Sequence, residues 1–155
     1  MRAQVLLLTT LGVLAVCPTA VAQTMTPVET VGRWNIMSYK DAMTDKVSCI
    51  GYYGDNKRIQ LTDGVLSFSL GGEGGVDGYM VRLDDSPAGE MQLPDDIEKQ
   101  IGVINLRFAD NVQIRTASRI RVRILTLLST TVDEDVDLKD MSGALAVIDG
   151  PKCTG

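Results

Sequence analysis

Two stretches near the C-terminal end of the chain alternate charged and aliphatic residues with a period of two, which is the pattern of half-buried β-strands. The charged positions are Arg119, Arg121 and Arg123 in the first stretch and Asp133, Asp135 and Asp137 in the second. A turn about Leu128 predicts an antiparallel hairpin in which Arg119 faces Asp137 and each remaining arginine faces an aspartate. One face is then charged and the other apolar, with Glu134 opposite Val122 as the exception. Opposite charges in register mainly specify the pairing of the two strands.

The rest of the chain also favours strands. Segments with alternating or β-favouring composition are residues 33–39, 47–53, 57–61, 65–70 and 79–83. Turn residues at Asp55-Asn56 and Thr62-Asp63-Gly64 predict a three-stranded meander. Trp34 is expected to be a core residue rather than a ligand platform.

Short helices are predicted at two or three places. Residues 95–100 and 139–148 have helix-start residues or an apolar helical face, and residues 108–117 are a weaker candidate. Residues 23–32, which are rich in Thr and Pro, are expected to be an extended leader of low order. The prediction is one α+β domain over residues 33–155, mainly antiparallel β-sheet of meander and hairpins with one or two short helices.

Two motifs resemble ligand sites and are interpreted structurally. The glycine-rich residues 71–78 precede a strand rather than a helix and contain Glu73 and Asp77, so they predict a hairpin loop instead of a phosphate-binding loop. The spacing Asp133-x-Asp135-x-Asp137 opens like a calcium loop. However, Leu138 replaces the required glycine and Ala144 replaces the bidentate glutamate. No metal site and no cofactor are predicted.

The N-terminus has the pattern of a secretory signal peptide. Arg2 precedes an apolar run of about twelve residues that is too short for a membrane span of about 20, and Ala20-Val21-Ala22 is a small-residue cleavage site. We expect residues 1–22 to be removed after Ala22, giving a periplasmic or secreted protein with no transmembrane segment. The alternative is a lipid anchor on Cys17, against which Val16 and Pro18 argue.

Cleavage would leave two cysteines, Cys49 and Cys153, in an oxidising compartment. An even number predicts one structural disulfide, which closes a loop of about a hundred residues. A redox pair or metal site is the alternative, but there is no Cys-x-x-Cys and no histidine to complete a ligand set.

The absence of histidine limits function most. It excludes Ser-His-Asp and Cys-His nucleophile systems and His-ligated metal or haem sites. Without Arg2 the chain has 14 basic and 20 acidic residues, a net charge of about −6, which disfavours nucleic acid and anionic membranes as partners.

The order of motifs resembles a family. Trp34 on a first strand, Asp41-Ala42-Met43-Thr44-Asp45, an apolar-and-Arg strand, residues 136–145 and a final Cys153 are similar to the VasI-like proteins associated with type VI secretion. They also resemble, more distantly, the invasion-associated locus B-like proteins. The resemblance covers most of the chain after the signal. It departs from the family pattern at Ala42-Met43-Thr44 and in the early position of Cys49. It implies an exported accessory or interaction protein and transfers no catalytic residues.

We therefore expect a non-enzymatic exported protein that binds another envelope macromolecule, with Arg119, Arg121 and Arg123 as candidate contacts. A first alternative is an inhibitor or immunity-like protein that inserts residues 71–78 or 84–89 into a periplasmic enzyme. A second alternative is a carboxylate-based hydrolase that uses one of two pairs of acids, either Asp41 with Asp45 or Asp84 with Asp85. Adjacent acids on a strand point to opposite faces, so the second pair is the weaker one.

Overall fold

The computed structural model describes residues 24–72 and 74–154. The predicted signal peptide, the Ala22 cleavage site, Cys17 and Glu73 lie outside the described residues. Within them the chain forms nine strands and two α-helices. These are β1 (Met25–Val31), β2 (Trp34–Lys40), β3 (Val47–Tyr53), β4 (Asn56–Thr62), β5 (Val65–Ser69), β6 (Val76–Leu83), α1 (Asp96–Ile101), β7 (Val103–Arg107), β8 (Arg119–Thr126), β9 (Thr131–Asp137) and α2 (Met141–Ile148).

The strands form two antiparallel sheets. The first sheet has six strands in the order β1-β2-β3-β4-β5-β7, and the second has three in the order β6-β8-β9. The predicted α+β fold, mainly antiparallel sheet with one or two short helices and a single disulfide, is confirmed, with two α-helices in the described residues.

The register of the β8–β9 hairpin is also confirmed. Arg119 pairs with Asp137, Arg121 with Asp135 and Arg123 with Asp133, and Glu134 lies opposite Val122. Ile120, Val122 and Ile124 alternate with the arginines and are buried on the other face. A slip of one residue in the register would expose all three, so their burial specifies the pairing.

One hydrophobic cluster contains buried residues from both sheets and from α2. Trp34 is fully buried, as predicted, and its ring meets that of Tyr53 edge-on with centroids 5.1 Å apart. The Tyr53 hydroxyl accepts a hydrogen bond of 2.9 Å from the backbone N–H of Asp137. This bond ties the central strands of the first sheet to the edge of the second.

The helices begin close to the predicted positions for different reasons. At α1 the Asp95 carboxylate accepts from the Glu98 N–H and the Glu98 carboxylate accepts from the Asp95 N–H, which is a capping box. Helix α2 has Asp140 at its N-cap without a side-chain capping bond, and it packs its apolar residues on strands β1–β4. The third candidate, residues 108–117, contains only a 3-10 turn, Val112–Arg115.

Two predictions about local structure are wrong. Residues 23–32 were expected to form an extended leader of low order; Met25–Val31 is extended, but it is ordered as strand β1, paired along β2 at the edge of the first sheet. Residues 71–78 were expected to form a hairpin loop, but β5 and β6 belong to different sheets, so this segment is a crossover that ends where β6 begins at Val76. In both cases the decisive contacts are backbone pairings that side-chain patterns do not specify.

The predicted disulfide joins Cys49 on β3 to Cys153, with Cα atoms 5.2 Å apart. Both cysteines are buried. The bridge fastens the end of the chain, just after α2, to the middle of the first sheet.

Candidate binding face on the three-stranded sheet

The sheet β6-β8-β9 has one face on the core and one face directed away from it. Cross-strand pairing places one set of residues on the second side, which we call the outer face. It comprises Met80 and Arg82 from β6, Arg119, Arg121 and Arg123 from β8, and Asp133, Asp135 and Asp137 from β9. The structure therefore brings all three predicted arginines together and adds Arg82, which sequence reasoning missed.

Two of the arginines are held by aspartates in a bidentate manner. Arg123 donates from Nε and Nη2 to the two carboxylate oxygens of Asp133, each at 2.8 Å. Arg119 donates from Nε to Asp135 at 2.7 Å and from Nη2 to its second oxygen. These hydrogen bonds lower the pKa of Asp133 and of Asp135 and raise the pKa of both guanidinium groups.

Arg121 lies between these pairs and is bonded differently. Asp135 faces it in the strand register but binds Arg119 diagonally instead. The Nη2 of Arg121 lies 3.3 Å from the backbone oxygen of Asp84 and 3.8 Å from the fully exposed carboxylate of Asp85. Arg121 is therefore held by one backbone hydrogen bond and by one long, solvent-screened ion pair.

Arg82 stands directly opposite Arg121 on the neighbouring strand. The Nε atoms of both arginines are buried, and neither has a hydrogen-bond acceptor among residues 24–72 and 74–154. Buried donors without acceptors are uncommon in folded proteins. These two side chains are thus the unusual feature of the outer face.

A cavity of about 330 Å³ lies beside this pair. Arg82, Arg121 and Arg123 contribute its basic lining, and Asp133, Glu134 and Asp135 its acidic lining. The apolar part consists of Met80, Val81, Ala88 and Val122. The cavity therefore combines a polar wall with an apolar one, as ligand-binding depressions generally do.

The segment after β6 forms one rim of this cavity. The chain turns at Asp84, which has φ +49°, and returns along β6, where the Gly89 N–H donates to the Val81 oxygen at 2.9 Å. Further on, Gln92 and Tyr79 exchange backbone hydrogen bonds. Ala88 is thereby placed against the arginine pair, and residues 84–91 are exposed.

A second depression, of about 640 Å³, continues the face toward the first sheet. It shares Asp135 with the cavity and also includes Arg119, Lys139 and Arg33. The Arg33 guanidinium lies 4.5 Å from the centroid of the Tyr53 ring. Charged groups of both signs therefore extend beyond the hairpin.

The carboxylates proposed for hydrolysis are engaged in local structure. One Asp41 oxygen accepts from the Met43 and Thr44 N–H groups and from the Thr44 hydroxyl, which lowers the pKa of Asp41. Asp45 pairs with Lys40 at 2.6 Å. The lowered pKa of Asp41 is the opposite of what a general acid needs at neutral pH.

The second pair of acids, Asp84 and Asp85, is also engaged in local structure. Asp84 accepts the N–H groups of Ser118 and Arg119, each at 2.9 Å, whereas the Asp85 carboxylate extends toward Arg121. The two adjacent acids therefore serve different contacts and do not converge on one position.

Residues 24–72 and 74–154 contain no cluster of three or more His, Cys, Asp or Glu side chains arranged for a metal ion. The aspartates of the calcium-like spacing lie on strand β9. In the same part of the chain, no helix has the length and apolar character needed to cross a membrane.

Comparison with known proteins found no match among protein-family models, curated proteins or solved structures. The resemblance to the VasI-like and invasion-associated locus B-like proteins therefore stays a prediction.

Proposed function

We propose that this is an exported, non-enzymatic protein that binds another macromolecule of the cell envelope through the outer face. The observation that carries the proposal is the arrangement of arginines there, with two fixed in bidentate pairs and two, Arg82 and Arg121, beside a cavity. The disulfide supports export, because such bridges persist in oxidising compartments.

The arrangement suits recognition of a protein partner. Arginine is enriched at protein interfaces, where its planar group makes directional contacts. Side chains already held by Asp133 and Asp135 lose little conformational entropy when a partner binds. Alternating charge on a rigid sheet also rejects partners whose charges are arranged differently.

A second candidate function is inhibition of an envelope enzyme by residues 84–89. This segment is exposed, yet backbone hydrogen bonds from Asp84, Ser86 and Gly89 anchor it to neighbouring strands. A protruding loop held in one conformation is favourable for insertion into a target cleft. The identity of the partner separates this candidate from a structural accessory role.

The proposal can be tested by site-specific photocrosslinking in intact cells. A benzophenone amino acid placed at Met80 reports on the outer face, and one placed at Gln60 on β4 is the matched control on the other sheet. We expect Met80 to give one saturable macromolecular partner, identified by mass spectrometry, and Gln60 to give none. Equal products from both positions, or no product from Met80, would contradict the proposed binding face.

If the partner is an enzyme, its activity should fall when the purified protein is added. Replacing residues 85–88 with a Gly-Ser linker should then abolish inhibition without changing the urea unfolding midpoint. Inhibition that survives the replacement would contradict the loop mechanism.

A further inference from the structure

We infer that Arg82 and Arg121 together form a carboxylate-binding site, and that its ligand is an acidic side chain of the partner. The identity of the partner rests on the function proposed above, whereas binding of a carboxylate to the two arginines does not.

The first argument is the juxtaposition of like charges. Arg82 and Arg121 are directly paired across β6 and β8, and such residues have Cα atoms only about 4.5–5.5 Å apart. Like charges directly opposite each other destabilise a sheet. A carboxylate between the two guanidinium groups would turn this repulsion into two attractive contacts.

The second argument is the hydrogen-bonding capacity of the pair. Each Nε–H is buried without an acceptor in the described part of the chain. A guanidinium group presents Nε–H and Nη–H side by side, in the spacing that matches two carboxylate oxygens. Arg119 and Arg123 use this same edge to bind Asp135 and Asp133. The outer face thus contains two completed arginine–carboxylate units and two arginines, Arg82 and Arg121, whose Nε–H has no acceptor among the described residues.

The third argument concerns the surrounding charge. Asp133 and Asp135 line the cavity, but their charges are offset by their own arginines, and Glu134 has an interaction partner of its own. Arg82 and Arg121 are therefore the groups available to an anion. Three carboxylates nearby still disfavour a doubly charged phosphate relative to a singly charged carboxylate.

The fourth argument is the apolar part of the cavity. Met80, Val81, Ala88 and Val122 line the space next to the arginines. The methylene groups of a glutamate side chain can contact this wall while the carboxylate reaches the guanidinium groups. This favours an acidic side chain on a protein over a small hydrated anion.

Asp85 has a defined part in this site. Its fully exposed carboxylate lies 3.8 Å from Arg121 on the rim segment. An incoming carboxylate would compete with Asp85 for the same guanidinium group. Asp85 therefore lowers the affinity of the site for acidic ligands without occupying the cavity.

The arginine side chains can be observed directly by nuclear magnetic resonance. In the purified protein, the Nε–Hε signals of the four outer-face arginines are followed during titration with N-acetyl-glutamate methylamide, and N-acetyl-glutamine methylamide serves as the neutral control. We expect saturable shifts of Arg82 and Arg121 with the glutamate probe, smaller shifts of Arg119 and Arg123, and no saturable shift with the glutamine probe. Uniform small shifts of all four arginines would overturn the proposal.

A parallel titration with inorganic phosphate distinguishes the class of anion. Weaker binding of phosphate than of the glutamate probe supports an acidic side chain as the ligand. Binding of phosphate that is equal or tighter would overturn that assignment and direct the search to phosphorylated envelope lipids.

Variants make the test specific. Arg82→Gln should abolish the saturable shift of Arg121, and Arg82→Lys should weaken it, because lysine keeps the charge but lacks the planar fork. Arg107→Gln, at an exposed position on β7, is the matched control and should leave binding unchanged. Asp85→Asn should tighten binding by up to about fivefold. Unchanged binding in both Arg82 variants, with native spectral dispersion, would refute the site.

This experiment is independent of the crosslinking test. A partner captured at Met80 without glutamate binding would retain the proposed function and refute the carboxylate site. Glutamate binding without a crosslinked partner would retain the carboxylate site and refute the proposed function.

Discussion

The disulfide between Cys49 and Cys153 should account for a large part of the stability of the domain. It joins residues separated by 104 positions, and closing a loop of that length removes about 4.7 kcal/mol of chain entropy from the unfolded state. Small domains have unfolding free energies of about 5–15 kcal/mol. We therefore expect the reduced protein to remain folded only marginally, with a urea midpoint about 2.3 M lower at a slope of about 2 kcal/mol/M.

The fluorescence of Trp34, the single tryptophan and a fully buried one, reports unfolding in urea with and without reductant. Reduction leaves both sulfur atoms in place, so the comparison isolates the cross-link from the packing of the buried cysteines. A variant with both Cys49→Ala and Cys153→Ala is the control, since reductant should not change its midpoint. A difference between oxidised and reduced protein below about 2 kcal/mol would refute the loop-entropy argument.

Three further outcomes follow from individual contacts. A double-mutant cycle should find coupling between Arg119 and Asp135 and little between Arg121 and Asp135, and the reverse result would contradict the diagonal ion pair. The pKa of the Asp135 carboxyl lies below its ordinary value of 3.8 because Arg119 binds it. The pKa of Asp135, measured by carbon-13 nuclear magnetic resonance, should therefore rise in Arg119→Gln. Because the folded pKa is the lowered one, the pair stabilises the fold above pH 3.8, and this contribution is lost as the pH falls through the lowered pKa. Gly32→Ala should lower the unfolding free energy by at least about 1 kcal/mol more than Gly64→Ala. Both glycines have positive φ. A Cβ at Gly32 would lie 1.8 Å from a carboxylate oxygen of Asp140, the N-cap residue of α2, whereas a Cβ at Gly64 would meet nothing within 4 Å. Equal urea midpoints for the two variants would show that the start of α2 shifts without cost.

The sequence predicted those parts of the fold in which side chains determine the pairing. Alternation together with opposite charges fixed the β8–β9 register, and the cysteine count identified the bridge. Strand β1 was missed because most of its side chains are exposed, so its sequence carries no burial pattern and its order comes from backbone bonds to β2. Strand β7 was also missed, because five residues are too few to show a clear alternation. The crossover before β6 was mistaken for a hairpin loop because glycines permit a turn without specifying which sheet the next strand joins.

The candidate site was predicted only in part, because side-chain patterns show which residues lie on one strand but not which strands are neighbours. The arginine row of β8 is visible in the sequence, but the interpretation treated its three members alike. Only the structure divides them, because Arg119 takes the aspartate that faces Arg121. Arg82 belongs to the predicted strand of residues 79–83. Its place opposite Arg121 depends on a pairing between distant parts of the chain, for which a single sequence has no local signal.

The order in which the chain visits its two sheets constrains how the protein can acquire its structure. Strand β6 begins the second sheet before β7 has completed the first, and β8 and β9 follow afterwards. No single cut in the chain would therefore separate the two sheets, because β7 of the first sheet lies in the sequence between β6 and β8 of the second. We expect the β5–β7 and β6–β8 pairings, which join non-consecutive strands, to slow folding and to couple the two sheets into one cooperative event. Slow folding of this kind would suit the proposed export, which requires the strands to remain unpaired until the chain has crossed a membrane.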